Sequence, residues 1–317
     1  MFNKPILIVP GQSKSIFFEI FFKSLKKKYR SPLILICNKE NFLMNAKKFA
    51  FKKKINVTNF KELEKSIHKY KINIVNIEKS KRYTNHLNKE KDYIFRCFKT
   101  AFNILKKNIT YKFLNGPINK KKFLNGKYIG ITEFISKKFH QKNTGMLIYN
   151  ENLSVCPLTT HLPIKLVSKN ISKNLIQNKL KLINDFYLKI FKFKPKIAVV
   201  GLNPHCESVF KFNEDIKIVT PAINYAKKNK ILVYGPFSAD TIFLKQNRKK
   251  FNVILGMYHD QVLSPLKTLF EYDAVNITIG LPFLRVSPDH GPNEEMINKN
   301  ISNPISLIKC LEFLDKN

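Results

Sequence analysis

Residues 258–291 read YHDQVLSPLKTLFEYDAVNITIGLPFLRVSPDHG. Within this stretch Val275–Ile279 is a short β-branched run closed by Gly280, the pattern of a buried parallel strand. Polar groups crowd around it where strand ends belong. Lys267, Asn276 and Arg285 together suit a ligand carrying a carboxylate and a phosphate, Arg285 bidentately and Lys267 as a point charge. Lys267 also suits a surface charge in so basic a chain, whereas Arg285 follows the apolar run GLPFL and precedes a turn.

The same grammar continues outward. Ile6–Val9, Leu33–Ile36, Ile72–Ile77, Lys112–Leu114, Ile197–Val200, Ile231–Tyr234 and Val253–Met257 are further short apolar runs, several bounded by Gly, Pro or Asn. Between them lie longer helical patterns at Ser15–Lys28, Glu90–Lys107, Ser172–Phe191, Asp215–Lys228, Ala239–Lys250 and Pro304–Asp315, the last with Asn303 and Pro304 as N-cap and first residue. MLIYNENLSVCPL reads as a hairpin turning at Asn150–Asn152. The alternation predicts an α/β fold with a mostly parallel sheet.

Lys and Arg number 57 against 22 Asp and Glu, a net charge of +35. The lysines are spread along the whole chain with no separate basic tail, which reads as a compositional bias rather than a nucleic-acid partner. The five cysteines, Cys37, Cys97, Cys156, Cys206 and Cys310, form no CxxC pair and suit reduced thiols. No apolar run approaches the ~18 residues of a membrane span. MFNKPILIVPG reads as a first strand rather than a signal peptide. The expectation is a cytoplasmic protein with neither membrane nor nucleic-acid partner.

His161 in TTHLPIK, His205 in GLNPH and His259 in MYHDQ each follow a strand-like run. Open α/β sheets bind ligands at the carboxyl ends of strands, and three neutral imidazoles are a common divalent-metal set. Their wide separation in sequence leaves a structural role open for each. Asp260 is placed to orient a metal-bound His259. His68, His86 and His140 lie among lysines on polar faces, and His290 in SPDHGP suits either a functional group or a turn residue. LNGPINK, Leu114 to Lys120, follows a strand and turns at Gly116–Pro117, where backbone N–H groups suit an anion.

NGPINK, GITEF, TTHLPIK, GLNPH, PFSADTIF, MYHDQVLSPLKTL and VNITIGLPFLRVSPDHG occur in the order found in the 4-hydroxythreonine-4-phosphate dehydrogenase family, which the chain resembles over nearly its whole length. The resemblance implies two α/β/α domains of the isocitrate and isopropylmalate dehydrogenase kind with an active-site cleft between them. Residues 1–118 with 265–317 would form the first, and 119–264 the second, carrying the interface of a homodimer whose site is shared between subunits. It implies a divalent metal (Zn, Mg or Co) on His161, His205 and His259, substrate contacts from Thr132, Lys267, Asn276 and Arg285, and a catalytic Asp240. The cofactor would be NAD or NADP, with its site near His290 and Gly291. The implied reaction oxidises a phosphorylated hydroxy amino acid, 4-phosphohydroxy-L-threonine, to a β-keto acid that decarboxylates to 3-amino-2-oxopropyl phosphate, in pyridoxal phosphate (vitamin B6) biosynthesis. A related phosphorylated hydroxy acid such as phosphothreonate is the alternative substrate. A metal-binding homologue with a weakened cofactor site is the other alternative.

Three departures stand out. GITE carries Ile131 where the family has a substrate-contacting histidine, a loss of about 1–3 kcal/mol for a charge-assisted contact. Gly11–Glu19 reads GQSKSIFFE in place of a glycine- and proline-rich loop. Pro292–Asn300 reads PNEEMINKN where relatives hold the dinucleotide, and Glu294 and Glu295 would repel a pyrophosphate they faced.

Overall fold

Short runs of β-branched and leucine residues form strands wherever Gly, Pro or Asn stops them early, and here they build two compact units. The computed structural model describes residues 3–80, 82–119, 123–124, 128, 130–208 and 212–317. Residues 1–134 with 282–317 form the first unit and 135–281 the second. These limits lie later in the chain than 118/119 and 264/265. Packing explains both differences. Phe134 lies 5.8 Å from Phe98 and 6.0 Å from Phe102 between ring centroids, which ties the chain up to that residue into the first unit. The strand Val275–Ile279 pairs antiparallel with Gly145–Tyr149 and so goes with the second.

In the first unit β1 (Ile6–Val9), β2 (Leu33–Cys37), β3 (Ile55–Thr58), β4 (Ile72–Asn76), β5 (Lys112–Asn115) and β12 (Leu284–Pro288) lie in the order β3-β4-β2-β1-β5-β12. Every pairing is parallel. All of β1 and β2 is buried, as the continuous apolar runs require. Helix α1 (Phe17–Ser24) stacks Phe17 on Phe21 and Phe18 on Phe22, and packs against α2 (Lys39–Lys48) through Phe42. Helix α3 (His86–Lys106) packs on β1 and β2. β3 and β12 went unpredicted because INVT is only partly buried and LRVSP carries a buried arginine in its middle.

In the second unit β6 (Gly145–Tyr149), β7 (Ser154–Pro157), β8 (Ile197–Val200), β9 (Val233–Phe237), β10 (Val253–Gly256) and β11 (Val275–Ile279) lie in the order β11-β6-β7-β10-β8-β9. β6 pairs antiparallel with both β11 and β7, closing the predicted hairpin, and the remaining pairs are parallel. Asn150 stabilises that turn, its side-chain oxygen accepting the Asn152 N–H at 2.9 Å. Ile148, Val155, Ala198, Val200, Ile254 and Leu266 meet in one core. Helix α4 (Ile131–Lys138) crosses the unit limit; α5 (Lys173–Phe191), capped by Ser172, packs on α6 (Thr220–Lys228). Ala239–Lys250 is not one helix but two turns, Ala239–Ile242 and Lys245–Arg248. Helix α7 (His259–Phe270) went unpredicted because Pro265 sits inside it, where a missing N–H and ring clash normally end a helical pattern. Helix α8 (Ile305–Lys316) packs on β12 and β5 of the first unit. The α/β, mostly parallel reading holds.

Candidate functional site

In the second unit the adjacent parallel strands β7, β10, β8 and β9 end on one edge of the sheet. The chain leaving β7 carries His161, that leaving β10 carries His259, that leaving β8 carries His205, and that leaving β9 carries Asp240. Four residues far apart in sequence are thus delivered to the edge where α/β sheets bind ligands.

The loops bearing them are fixed by buried polar side chains. Asp215, 1% exposed, accepts the N–H groups of Leu202 and Asn203 at 2.7 and 3.0 Å and the Asn203 side-chain amide at 3.0 Å. Gln261 accepts the Met257 N–H at 2.7 Å and donates to the Gly201 carbonyl at 2.8 Å, tying the β10 exit to the β8 exit. Thr159 donates its hydroxyl to the Met257 carbonyl at 2.8 Å, tying in the β7 exit. Gln261 stands within the MYHDQ motif; Asp215 had no motif to announce it.

His161 and His205 hold φ of 57° and 54°, left-handed backbone that non-glycine residues adopt at a cost of about 1–3 kcal/mol. The His161 and His259 rings lie 6.1 Å apart between centroids. His259 Nδ1 meets Asp260 Oδ1 at 2.6 Å, so that Nε2 is the ring nitrogen that could take a ligand. Two neighbouring imidazoles, one oriented by a carboxylate, are the donor chemistry a divalent ion takes, and in that respect the residues fit the group. His205 stands outside this pair: among the described residues no three His, Cys, Asp or Glu side chains are grouped closely enough to hold an ion. Asp240 is exposed. Burial raises the Cys206 thiol beside His205, so that cysteine stays protonated at neutral pH.

Lys267 lies in the last turn of α7, half-buried. Asn276 lies on β11, and its side-chain oxygen is buried with no hydrogen-bond partner. An orphaned buried acceptor costs about 1–3 kcal/mol and points to a donor brought by a ligand.

In the first unit Arg285 on β12 is 3% exposed. Its Nε donates to Asn115 Oδ1 at 2.8 Å, and a terminal nitrogen reaches Thr132 Oγ1 at 3.4 Å. Burial pushes the guanidinium down to about 10, with Cys310 and Glu133 opposing the fall. Two of the expected substrate residues are therefore in contact, and Asn115, the first residue of NGPINK, joins them. Ile131, beside Thr132, is buried. Lys120, the last residue of that motif, lies outside the described residues.

The loops after β1 and β5 meet back to back. Gly11 holds φ 90°, and a side chain there would strike the Pro117 carbonyl at 2.3 Å; one at Gly116 would strike the Pro10 carbonyl at 2.1 Å. Above them Gln12, 8% exposed, donates to Glu294 Oε1 at 2.9 Å and to the Lys14 carbonyl at 2.6 Å, and accepts the Asn119 N–H at 2.9 Å. Ile16 N–H also donates to the Pro292 carbonyl at 3.2 Å. The two segments that depart from the family pattern are thus bonded to each other. They border a cavity of about 200 Å³ with an apolar floor from Ile94, Ile118 and Phe123. His290 and Gly291, expected near the cofactor, lie in the turn after β12, with His290 Nδ1 2.9 Å from the Gly291 carbonyl.

The fold is an α/β one in which mostly parallel strands deliver polar side chains to their carboxyl ends. A β-decarboxylating dehydrogenase from Thermococcus kodakarensis shares the fold, with a TM-score of 0.52 at 13% identity over 98% of this chain and 82% of that one. The chain belongs to the family of pyridoxal phosphate biosynthetic protein PdxA, whose profile matches residues 29–314. It is 34% identical to a 4-hydroxythreonine-4-phosphate dehydrogenase from Aquifex aeolicus, over 99% of this chain and 98% of that protein. It is 36% identical to a D-threonate 4-phosphate dehydrogenase from Salmonella typhimurium, over 63% of this chain and 62% of that protein. A Salmonella typhimurium structure described as a 4-hydroxythreonine-4-phosphate dehydrogenase superposes with a TM-score of 0.86 at 27% identity, covering 99% of each chain. The chain is an oxidoreductase of this family.

Proposed function

We propose that this protein oxidises 4-phosphohydroxy-L-threonine with NAD or NADP in pyridoxal phosphate biosynthesis. The product would be a β-keto acid that loses carbon dioxide to give 3-amino-2-oxopropyl phosphate. The observation that carries the reading is the delivery of His161, His259, His205 and Asp240 to the carboxyl ends of four adjacent parallel strands, alongside membership of the family.

His161 and His259 would hold a divalent ion, and His205, which stands outside that pair in this structure, would be drawn in as the third ligand on binding. When bound, the ion polarises the substrate hydroxyl and the oxidised nicotinamide accepts the hydride. Asp240, exposed at the β9 exit, takes the hydroxyl proton. Arg285, already oriented by Asn115, receives one of the substrate's anionic groups, and Thr132 steadies it. Lys267 supplies a second positive charge, and the Asn276 oxygen accepts a donor such as the substrate amine. We assign the dinucleotide to the cavity bordered by Gln12 and Glu294, and the second unit to the interface of a homodimer that shares its site between subunits.

A second reading, oxidation of D-threonate 4-phosphate, is favoured by Ile131. That substrate carries a hydroxyl where the amino acid carries an amine, and an apolar residue replaces a histidine next to Thr132. Absorbance of reduced nicotinamide, followed with each substrate, each dinucleotide and Zn, Mg or Co, tests both. Turnover of the amino acid at a tenth or less of the threonate rate would replace the first reading with the second. No reduction with either substrate would remove both.

A further inference from the structure

The fold brings six of the chain's lysines to the border of one groove. In the first unit β2, β4 and β3 are neighbours and parallel, so their amino ends share an edge. That edge is opposite to the carboxyl ends of β1 and β5 that carry Gln12 and Asn115. The segments entering these strands border a groove of about 570 Å³. Lys27, Lys28, Lys53, Lys54, Lys69 and Lys71 line it, six of thirteen lining residues, and no Asp or Glu does. The chain as a whole holds 57 Lys and Arg in 317 residues, so the groove is enriched more than twofold.

Two of these lysines are engaged: Lys27 pairs with Glu312, and Lys53 donates to the Leu25 carbonyl at 2.8 Å. Among the described residues, Lys28, Lys54 and Lys71 have no ion pair or hydrogen bond from their side chains. Tyr70 is 80% exposed at the rim, with Lys69 Nζ 5.3 Å from its ring centroid, and Tyr29 and His68 lie within the groove.

We propose that this groove binds single-stranded nucleic acid, with the lysines tracking phosphates and a base stacked on Tyr70. Two features favour this occupant. Flexible lysine point charges suit a repeating phosphate chain rather than one fixed anion. An exposed aromatic face beside them suits a base. Contacts of this kind carry little sequence preference. The proposal is independent of the reaction assigned to the other edge of the sheet.

The test is anisotropy of a labelled oligothymidine twelve-mer with the full-length protein. A triple variant, Lys54→Glu, Lys69→Glu and Lys71→Glu, is compared with a control of equal charge change on exposed lysines of the second unit, Lys142→Glu, Lys189→Glu and Lys250→Glu. The groove variant is expected to bind at least about thirtyfold more weakly, the control within about threefold, and log affinity should fall against log salt with a slope of about −4 for the wild type. Tyr70→Ala, which leaves every charge in place, should weaken binding about tenfold. Thermal unfolding of each variant confirms that it is folded. Equal weakening by both triple variants would mean diffuse charge and overturn the proposal. So would an unchanged affinity in Tyr70→Ala with inorganic polyphosphate bound as tightly as the oligomer, or retention on anionic vesicles without oligomer binding.

Discussion

Replacing Arg285 by methionine should leave the protein about as stable as before while removing its grip on substrate. The guanidinium is 3% exposed, and burial lowers it from the usual arginine range to about 10. That fall corresponds to about 3 kcal/mol of destabilisation of the charged form. Methionine removes this penalty and fills a similar volume. Against the gain stands the Asn115 oxygen, which loses its donor at about 1–3 kcal/mol. The two nearly cancel, so urea unfolding should place Arg285→Met within about 1 kcal/mol of wild type, and adding Asn115→Leu should recover the orphan cost. Binding responds differently. An anionic ligand facing Arg285 offsets the buried charge, and its loss should weaken substrate at least about a hundredfold.

The pH behaviour follows from the sign of the shift. Below about 10 the arginine is charged in both folded and unfolded states, so the full penalty is present there. Between about 10 and the ordinary arginine range the unfolded chain holds more protons than the folded one, and stability rises with pH. Near neutrality the wild type and Arg285→Met should therefore show parallel pH profiles. The assay is urea unfolding with and without 4-phosphohydroxy-L-threonine. At a hundred times its dissociation constant the ligand should stabilise the wild type by about 2.7 kcal/mol, and the variant hardly at all. A variant destabilised by more than about 3 kcal/mol that still responds to ligand would refute the reasoning, because Arg285 would then be a structural residue.

Gln12→Glu sets a second carboxylate against Glu294 and should cost about 1–2 kcal/mol, since the ~4 kcal/mol of an ion pair at 4 Å is reduced by the exposure of Glu294; adding Glu294→Gln should return most of it in urea unfolding. Alanine at His161 or His259 should lower bound zinc in the purified protein at least about tenfold, and retention of metal in both variants would remove the ligand assignment. Glu214 accepts from Ser168 and Asn203 and sits below its ordinary value, chiefly through the Ser168 hydroxyl, so its stabilisation is complete above the usual carboxylate range and is lost as pH falls through its lowered value. Thermal unfolding of Glu214→Gln should thus differ from wild type at neutral pH and converge with it in acid. Ile131→His should lower the Michaelis constant for 4-phosphohydroxy-L-threonine while leaving that of the dinucleotide unchanged; a shift in the dinucleotide instead would detach Ile131 from the substrate.

Strand-end histidines were legible because each follows an apolar run short enough to be a buried strand, and a strand's exit is fixed once its run is known. Their adjacency was not, because nothing in IAVV, SVCP or VILG states that β7, β10 and β8 are neighbours; pairing order is set by side-chain packing across the sheet. Arg285 was picked out by its apolar surroundings, yet its strand was not, since a charged residue in the middle of LRVSP contradicts the pattern of a buried strand. Asp215 is the clearest omission. It reads as the first residue of a surface helix, but its carboxylate caps the GLNPH loop from thirteen positions further on.

The departures from the family pattern gain meaning from the same contacts. Read along the chain, the loss of glycine and proline between Gly11 and Glu19 and the acidic pair after Gly291 look like two separate erosions. In the fold they are one junction: Gln12 bonds Glu294, the Ile16 N–H bonds Pro292, and Glu19 accepts both the Ser302 N–H and Lys23. A glycine loop brings backbones together by having no side chain to exclude. Here Gly11 and Gly116 keep the approach where it is closest, and a buried glutamine amide joins three segments where the remaining glycines have gone. Glu294 accepts Gln12 on one oxygen, which fixes where its charge sits but does not remove it. Exchanging either segment alone for its family counterpart would strand polar groups of the other, so the two segments act as one structural unit.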